Sequence, residues 1–476
     1  MKVPMDTDER IAAAAHVHPS PRQLAWQRLE LTAFFHFTVN TFTDLEWGTG
    51  EEDPVIFDPT ELDTRQWLRV VSEAGFKLAV LTTKHHDGLC LWPSRYTNHS
   101  VMHSPYKGGQ GDVVGEFVTA CREYGVKVGF YLSPWDRHEP TYGTEAYNDH
   151  FVNQLTELLS NYGPVAEVWF DGACGEGPNG KRQVYDWERY YRTIRELQLD
   201  AVIAIAGPDV RWVGNESGLA RENEWSVVPV ESLDQDRITE DSQHDVELPR
   251  VIANARGGDL GSREMILAAD RLVWYPAECD VSIRPGWFYH QREDHLVKSP
   301  ETLVDLYYKS VGRNASLLLN LPPDRRGLIH ENDVLSLQGM RRILDASFEE
   351  NLALRAPVTA SHEREGHPAG NAVDGDPETH WTTDDWQETA ELVVELASGT
   401  TFDVVMLREQ IAVGQRIEEF VVEADLGGIW HEVTRGGTIG NKRLLRTEPT
   451  TADRVRVRVL ASRFAPTLSE FGLFQE

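Results

Sequence analysis

The segment Val165–Gly177, VAEVWFDGACGEG, leads apolar and aromatic residues into one carboxylate and then into glycine. On a strand, side chains alternate between faces, so Glu167, Trp169 and Asp171 share one face while Val168 and Phe170 share the other. The second face is greasy and suits a layer of helices. The first ends in an indole and then a carboxylate, at the C-terminal end of the strand. An aspartate there is either a turn cap or a reacting group. Other strand-like runs finish the same way. LTAFFHF brings His36, KLAVLTT brings Lys84, His85, His86 and Asp87, and KVGFYLS brings Tyr131 and Trp135. Polar and aromatic groups at one end of four strands point to a pocket with Asp171 as its reacting carboxylate. Neighbours on a strand point to opposite faces, so His85 and His86 are poorly placed to chelate one ion, and contact with substrate hydroxyls is preferred to a catalytic metal.

The chemistry suits a sugar. The chain has 14 Trp, 14 Tyr and 17 Phe. A sugar ring stacks an apolar face on aromatics and offers hydroxyls to polar tips. No G-x-G-x-x-G follows the first strand-like run, which argues against a dinucleotide site. Cleaving a glycosidic bond usually takes two carboxyl groups. The loop after AVIAIA, GPDVRWVGNESGLARENEW, offers Glu216, Glu222 and Glu224 as the partner of Asp171. Spacing alone does not choose among them.

These groups need a scaffold. From residue 31 to about 340, strand-like runs (31–37, 77–83, 127–133, 166–171, 201–206, 316–321 and, more weakly, RLVWYPAE at 271–278) alternate with amphipathic helical stretches. The helix TRQWLRVVSEAG is expected to take Thr64 as its N-cap and to stop at Gly75. An α/β fold follows. A closed (β/α)8 TIM barrel fits the length, and a doubly wound open sheet is the alternative. Beyond about 350 the texture changes to short β runs, among them RVRVRV with its period of two, which predicts a β-sandwich. The expected domains are a barrel at 1–348 and a sandwich at 349–476.

A formal net charge of -30 repels phosphate backbones and anionic lipid, so neither nucleic acid nor membrane is an expected partner. The four cysteines are scattered, with no C-x-x-C, and read as reduced thiols. No basic start with an uninterrupted apolar core is seen at the N-terminus, so a cytoplasmic location is expected. Oligomeric state is not legible.

FHFTVNTF, LEWG, TKHHDG, EVWFDG, VRWVGNESG and LLLNLPPDRRG together resemble glycoside hydrolase family 29, the α-L-fucosidases, over roughly residues 22–345. VRWVGNESG is similar to the subgroup acting on α-1,3/1,4-linked fucose in branched, Lewis-type oligosaccharides. The resemblance implies a (β/α)8-like barrel and a retaining exo-hydrolase acting on fucosylated oligosaccharides, with no cofactor required. It implies Asp171 as nucleophile and Glu216 as acid/base, converging from the fourth and fifth barrel loops. Sugar contacts would fall on His36, Glu46, His85, His86, Tyr131 and Trp169, with Arg211 as a further one. Trp92 and Trp287 are candidates for the pocket wall, a core role being equally open, and Glu222 and Glu224 for the leaving-group side. A fucose-binding lectin, or a barrel glycosidase for another α-linked sugar, are the alternatives.

NLALRAPVTAS, AVDGDPETHWTTDD and LSEFGLF resemble discoidin-like (coagulation factor 5/8 C-type) sandwiches. That resemblance implies a possible structural calcium held by Asp374, Asp376 and Thr379. Trp381, Trp386 and Trp430 are expected in the core or against the barrel rather than in a sugar platform.

Overall fold

A computed structural model describes residues 7–230 and 259–476. Its first unit is a barrel of eight parallel strands: β1 (Leu31–Phe35), β2 (Leu78–Lys84), β3 (Lys127–Leu132), β4 (Glu167–Phe170), β5 (Val202–Ile205), β6 (Arg211–Trp212), then β9 (Ala277–Ser282) and β10 (Ser316–Asn320). Between β6 and β9 an antiparallel pair, β7 (Val227–Pro229) and β8 (Leu272–Trp274), lies outside the ring. The order is β5-β4-β3-β2-β1-β10-β9-β6. The ring closes where Ala204 bridges Val210 and the Ile205 N–H donates to the Val210 carbonyl at 2.9 Å.

The alternation read from EVWFDG is what the barrel uses. Val168 and Phe170 join the outer core beneath the helices, with Phe35, Leu81 and Phe130. Trp169 packs inside with Phe34, Val80, Tyr131 and Leu318. Trp26 closes the floor, its indole N–H donating to Glu167 at 2.7 Å.

The run 271–278 is not one strand. Leu272–Trp274 pairs with β7, and the barrel strand begins only at Ala277, after Pro276. Proline lacks the N–H a continuing ladder needs. The barrel strand AECDVS went unread because Glu278, Asp280 and Ser282 occupy its inward face. The helix Thr64–Glu73 is capped by Asp63, whose carboxylate accepts the Arg65 and Gln66 N–H groups, and Thr64 is its first turn rather than its cap.

The last barrel helix ends at Ser347, and a second hydrophobic core starts at Ala353. It is built on two long strands, Ala390–Arg408 and Arg443–Ser462, which pair antiparallel. In RVRVRV the valines 455, 457 and 459 are buried, while Arg456 and Arg458 lie over the sheet and pair with Glu423 at 2.6 and 3.4 Å. Trp381 is core, and Trp430 lies under Arg456 with the guanidinium 4.5 Å from the ring centre. Trp386 departs from expectation: it is 58% exposed, touching Phe464 edge-on. Among the described residues no helix is long and apolar enough to cross a membrane, and all four cysteines are buried and unbridged.

Candidate active site

Asp171 follows β4 directly and both its oxygens are held. Tyr131 donates its hydroxyl to Oδ2 at 2.9 Å, and the Ala173 N–H donates to Oδ1 at 2.8 Å. Tyr131 stands beside Trp169 across the β3–β4 register. The Asp171 side chain keeps 25% of its surface open, among neighbours that are nearly all closed. The glycines after it do not leave empty space. A Cβ on Gly175 would sit 2.2 Å from the Trp135 ring, so glycine lets this loop lie flat on that indole. Gly175→Ala should therefore push the loop off Trp135 and lower stability by about 1–3 kcal/mol, the usual cost of overpacking. Thermal unfolding of the variant checks this.

Three imidazoles form one wall. His36 follows β1 and bonds Asn320 through Nδ1 at 2.9 Å. Asn320 in turn donates to Ser282 Oγ at 2.9 Å and to the Trp287 carbonyl at 2.8 Å. His85 and His86 do not point to opposite faces. β2 ends at Lys84, so the pair lies in the turn beyond it, with rings 4.1 Å apart and tilted by 36°. Lys84 turns outward to Asp136 at 2.8 Å and to Gln154 at 2.9 Å, and Asp87 holds the turn by accepting from Thr38 and the Leu89 N–H. Burial lowers His36 to about 3 and His86 to about 4, the latter against the pull of Asp171, and His85 falls well below its usual range. All three rings are neutral near pH 7, so each has one N–H donor and one bare nitrogen acceptor. Ser133 donates to the Trp135 carbonyl, which leaves its oxygen to accept from His86 Nδ1 at 2.7 Å. His86 Nε2 is then an acceptor, 3.6 Å from Asp171.

The facing wall carries the second carboxyl. Glu46 accepts from the Trp287 N–H at 2.8 Å and bonds His290 Nε2 at 2.6 Å. A Cβ on Gly286 would lie 2.4 Å from the Glu46 carboxyl, so that approach needs glycine. The Trp287 indole crosses to Glu216 at 3.3 Å and stands 5.3 Å from His36. Glu216 opens to solvent at the mouth, yet the wall excludes water from part of its carboxyl. That desolvation raises its pKa, and the charges of Asp171 and Glu46 raise it further. Asp171 and Glu216 thus lie within each other's field. Glu216 follows the sixth strand, not the fifth, because the two-residue β6 intervenes.

Four expected positions fall elsewhere. Arg211 faces away from the pocket, ion-paired with buried Glu224 and bonded to the Tyr275 carbonyl at 3.1 Å. The same pairing makes Glu224 structural, and Glu222 points to solvent near Arg443. Trp92 is in the outer core with its indole on Glu157 at 3.0 Å. Trp47 was missed. It is 48% exposed at the rim, edge-on to Trp135 at 5.6 Å and to His86 at 6.0 Å. Its place directly after Glu46 in LEWG was the available signal.

The sandwich braces the segment behind Glu216. The buried Gln415 amide accepts the Ser226 N–H at 2.8 Å and donates to the Glu224 carbonyl at 3.2 Å. Arg443 bonds the Glu222 carbonyl. Gln415→Leu leaves the buried Ser226 N–H without its acceptor, so a loss of about 1–3 kcal/mol is expected in calorimetry. The residues expected to hold calcium bond one another. Asp374 accepts the Asp376 N–H at 2.8 Å and the Thr379 hydroxyl at 2.7 Å, which closes the turn on itself. Among the described residues no three His, Cys, Asp or Glu side chains gather as a metal site.

Residues 25–347 match the family model Alpha-L-fucosidase, and residues 357–470 match the F5/8 type C domain. The chain belongs to the alpha-L-fucosidase family. Alpha-L-fucosidase 1 of Arabidopsis thaliana is 41% identical over 471 residues, covering 96% of this chain and 87% of that one. A glycoside hydrolase family 29 fucosidase of Ruminococcus gnavus, solved in complex with fucose, superposes with a TM-score of 0.85 at 34% identity, covering 100% of this chain and 97% of its own. A solved Bacteroides ovatus chain gives a TM-score of 0.87 at 46% identity, covering 100% of this chain and 77% of that one. The protein is an α-L-fucosidase, a glycoside hydrolase on a TIM-like barrel with a discoidin-like sandwich.

Proposed function

We propose that this fucosidase is a retaining exo-enzyme that removes terminal α-1,3/1,4-linked L-fucose from branched, Lewis-type oligosaccharides. The observation that carries the mechanism is that one pocket wall runs from Asp171 past His86 and His36 to Trp287, whose indole reaches Glu216. Asp171, oriented by Tyr131 and the Ala173 N–H, attacks the anomeric carbon. Glu216 keeps its proton above the usual carboxylate range and delivers it to the leaving oxygen. It then takes a proton from the water that opens the fucosyl ester. His36 and His86, whose Nδ1–H groups are used by Asn320 and Ser133, accept from ring hydroxyls through Nε2, and neutral His85 offers its Nε2 to a further one. Trp169 and Tyr131 close the floor, which favours removal of a terminal residue. The linkage preference rests on the VRWVGNESG turn and on two indoles at the mouth, exposed Trp47 and half-buried Trp287, which offer a second sugar a surface to stack on.

The test is release of free fucose from a Lewis-type trisaccharide, compared with a simple aryl α-fucoside, with proton NMR of the anomer released first. Preference for the trisaccharide with α-fucose appearing first is expected. β-Fucose first would refute retention, and equal use of the aryl fucoside would refute the linkage reading. The pH profile gives a further prediction. A negative neighbour raises a carboxyl pKa, so removing the Glu46 charge must lower that of Glu216. Glu46→Gln should move the basic limb of kcat/KM toward acid by a few tenths to about one pH unit. A limb that stays or moves toward base contradicts the assignment.

A further inference from the structure

The turn that carries Glu216 hangs on one strand. The Val213 N–H donates to the Glu278 carbonyl at 3.0 Å, and the Gly218 N–H donates to the Asp280 carbonyl at 3.1 Å. Both ends of the segment are thus hooked to β9. Between the hooks, Asn215 ties the turn internally, accepting from the Ser217 N–H at 3.1 Å and donating to the Leu219 carbonyl at 2.9 Å. Beneath it lies a side chain that the mechanism above does not use. Asp280 is buried on the inward face of β9, and its Oδ1 accepts the Trp212 indole N–H at 2.8 Å. Trp212 immediately precedes the first hook. We propose that Asp280 is a positioning residue of the acid/base, fixing Trp212 and the Val213–Gly218 turn so that Glu216 reaches the leaving oxygen. This rests on the assignment of Glu216 above and deepens it.

The surroundings decide the form in which Asp280 acts. Three acids face it: Glu216 from the turn, Asp171 from the end of β4, and Glu278 from its own strand. Among the described residues no Lys or Arg pairs with it. Burial first, then the Glu216 charge, push its carboxyl well above the usual range. Burial and these like charges favour the protonated form of Asp280. This matters for the cycle. An ionised Asp280 would add a further negative charge under Glu216 and hold its proton too tightly for it to serve as base in the second step. A neutral one holds the geometry and leaves Glu216 free to lose and regain its proton.

The test compares Asp280→Ala, Asp280→Asn, Trp212→Phe and Glu216→Ala on two substrates. One is a fucosylated oligosaccharide, whose leaving group needs protonation. The other is α-fucosyl fluoride, whose leaving group does not. Asp280→Ala should lower kcat/KM, which reads the first step, about 10- to 100-fold for the oligosaccharide, a fraction of what general acid catalysis contributes, and leave that of the fluoride nearly unaffected. Trp212→Phe should show the same selective loss, which keeps the test open if Asp280→Ala fails to fold. Asp280→Asn is neutral and still offers Trp212 an acceptor, so it should recover most of the loss without moving the basic limb of the pH profile. Equal losses on both substrates, or an Asn variant whose basic limb shifts toward acid, would overturn the proposal. Glu216→Ala separates the two levels. If its own loss in kcat/KM, which reads only the first step, is not selective for the oligosaccharide, the acid/base assignment falls and this inference with it. If its loss is selective and those of Asp280→Ala and Trp212→Phe are not, only this inference falls.

Discussion

Asp171→Asn should reduce turnover roughly 10^4-fold or more, the scale of loss when a covalent nucleophile is removed. The fold should survive. Asparagine has the same shape, and the Tyr131 hydroxyl can turn to accept where it now donates. The Ala173 N–H keeps an acceptor in the amide oxygen. Thermal unfolding should therefore move little while activity collapses. Fucose should still bind, because His36, His85, His86 and Trp169 are untouched. A binding titration beside the rate assay checks both halves. Substantial turnover in this variant would mean that the carboxylate after β4 only caps its turn.

The second large effect is at Glu216. Glu216→Ala removes the proton donor for the leaving oxygen and the base for the second step. General acid–base groups contribute typically 10²–10⁴-fold, so a loss in that range is expected on oligosaccharides. An activated leaving group needs no proton, so on such a substrate the first step survives and the ester accumulates. Added azide, which needs no base, should then restore turnover. Trp287 provides a control. It donates to Glu216 but reacts with nothing, so Trp287→Phe should shift the acid's pKa upward and lower the rate far less. The pH dependence of kcat/KM in the two variants checks this contrast.

Much of this site was legible because strand alternation is strict. Glu167, Trp169 and Asp171 face inward as the period of two requires, and a carboxylate at the C-terminal end of a barrel strand reads as chemistry. His36, Tyr131 and Trp169, which the structure gathers beside Asp171, all stand on or beside strands whose apolar runs are plain. What failed was where the strand rule stopped applying. His85 and His86 lie past the end of β2, so alternation no longer separates them. AECDVS hides a barrel strand because its inward face is acidic, and Asp280 stayed invisible with it. Arg211 is on a two-residue strand, too short for any pattern to show that it faces Glu224 rather than the cavity. Trp92 lies in a loop whose direction only the packed helices determine. The sandwich was legible as a class from RVRVRV, but its contact with the Glu222–Ser226 segment depends on pairs far apart in sequence, such as Gln415 with Ser226.

The most direct test of the account is the anomeric configuration of the fucosyl azide made by the two variants. With Asp171→Gly, azide takes the place of the missing carboxylate and should give β-fucosyl azide by one displacement. With Glu216→Ala and an activated α-fucoside, azide should open the ester on Asp171 and give α-fucosyl azide. Opposite products from the two variants are what a nucleophile and an acid/base acting across one ring require. The same anomer from both, or azide products from neither, would contradict the assignment of Asp171 and Glu216.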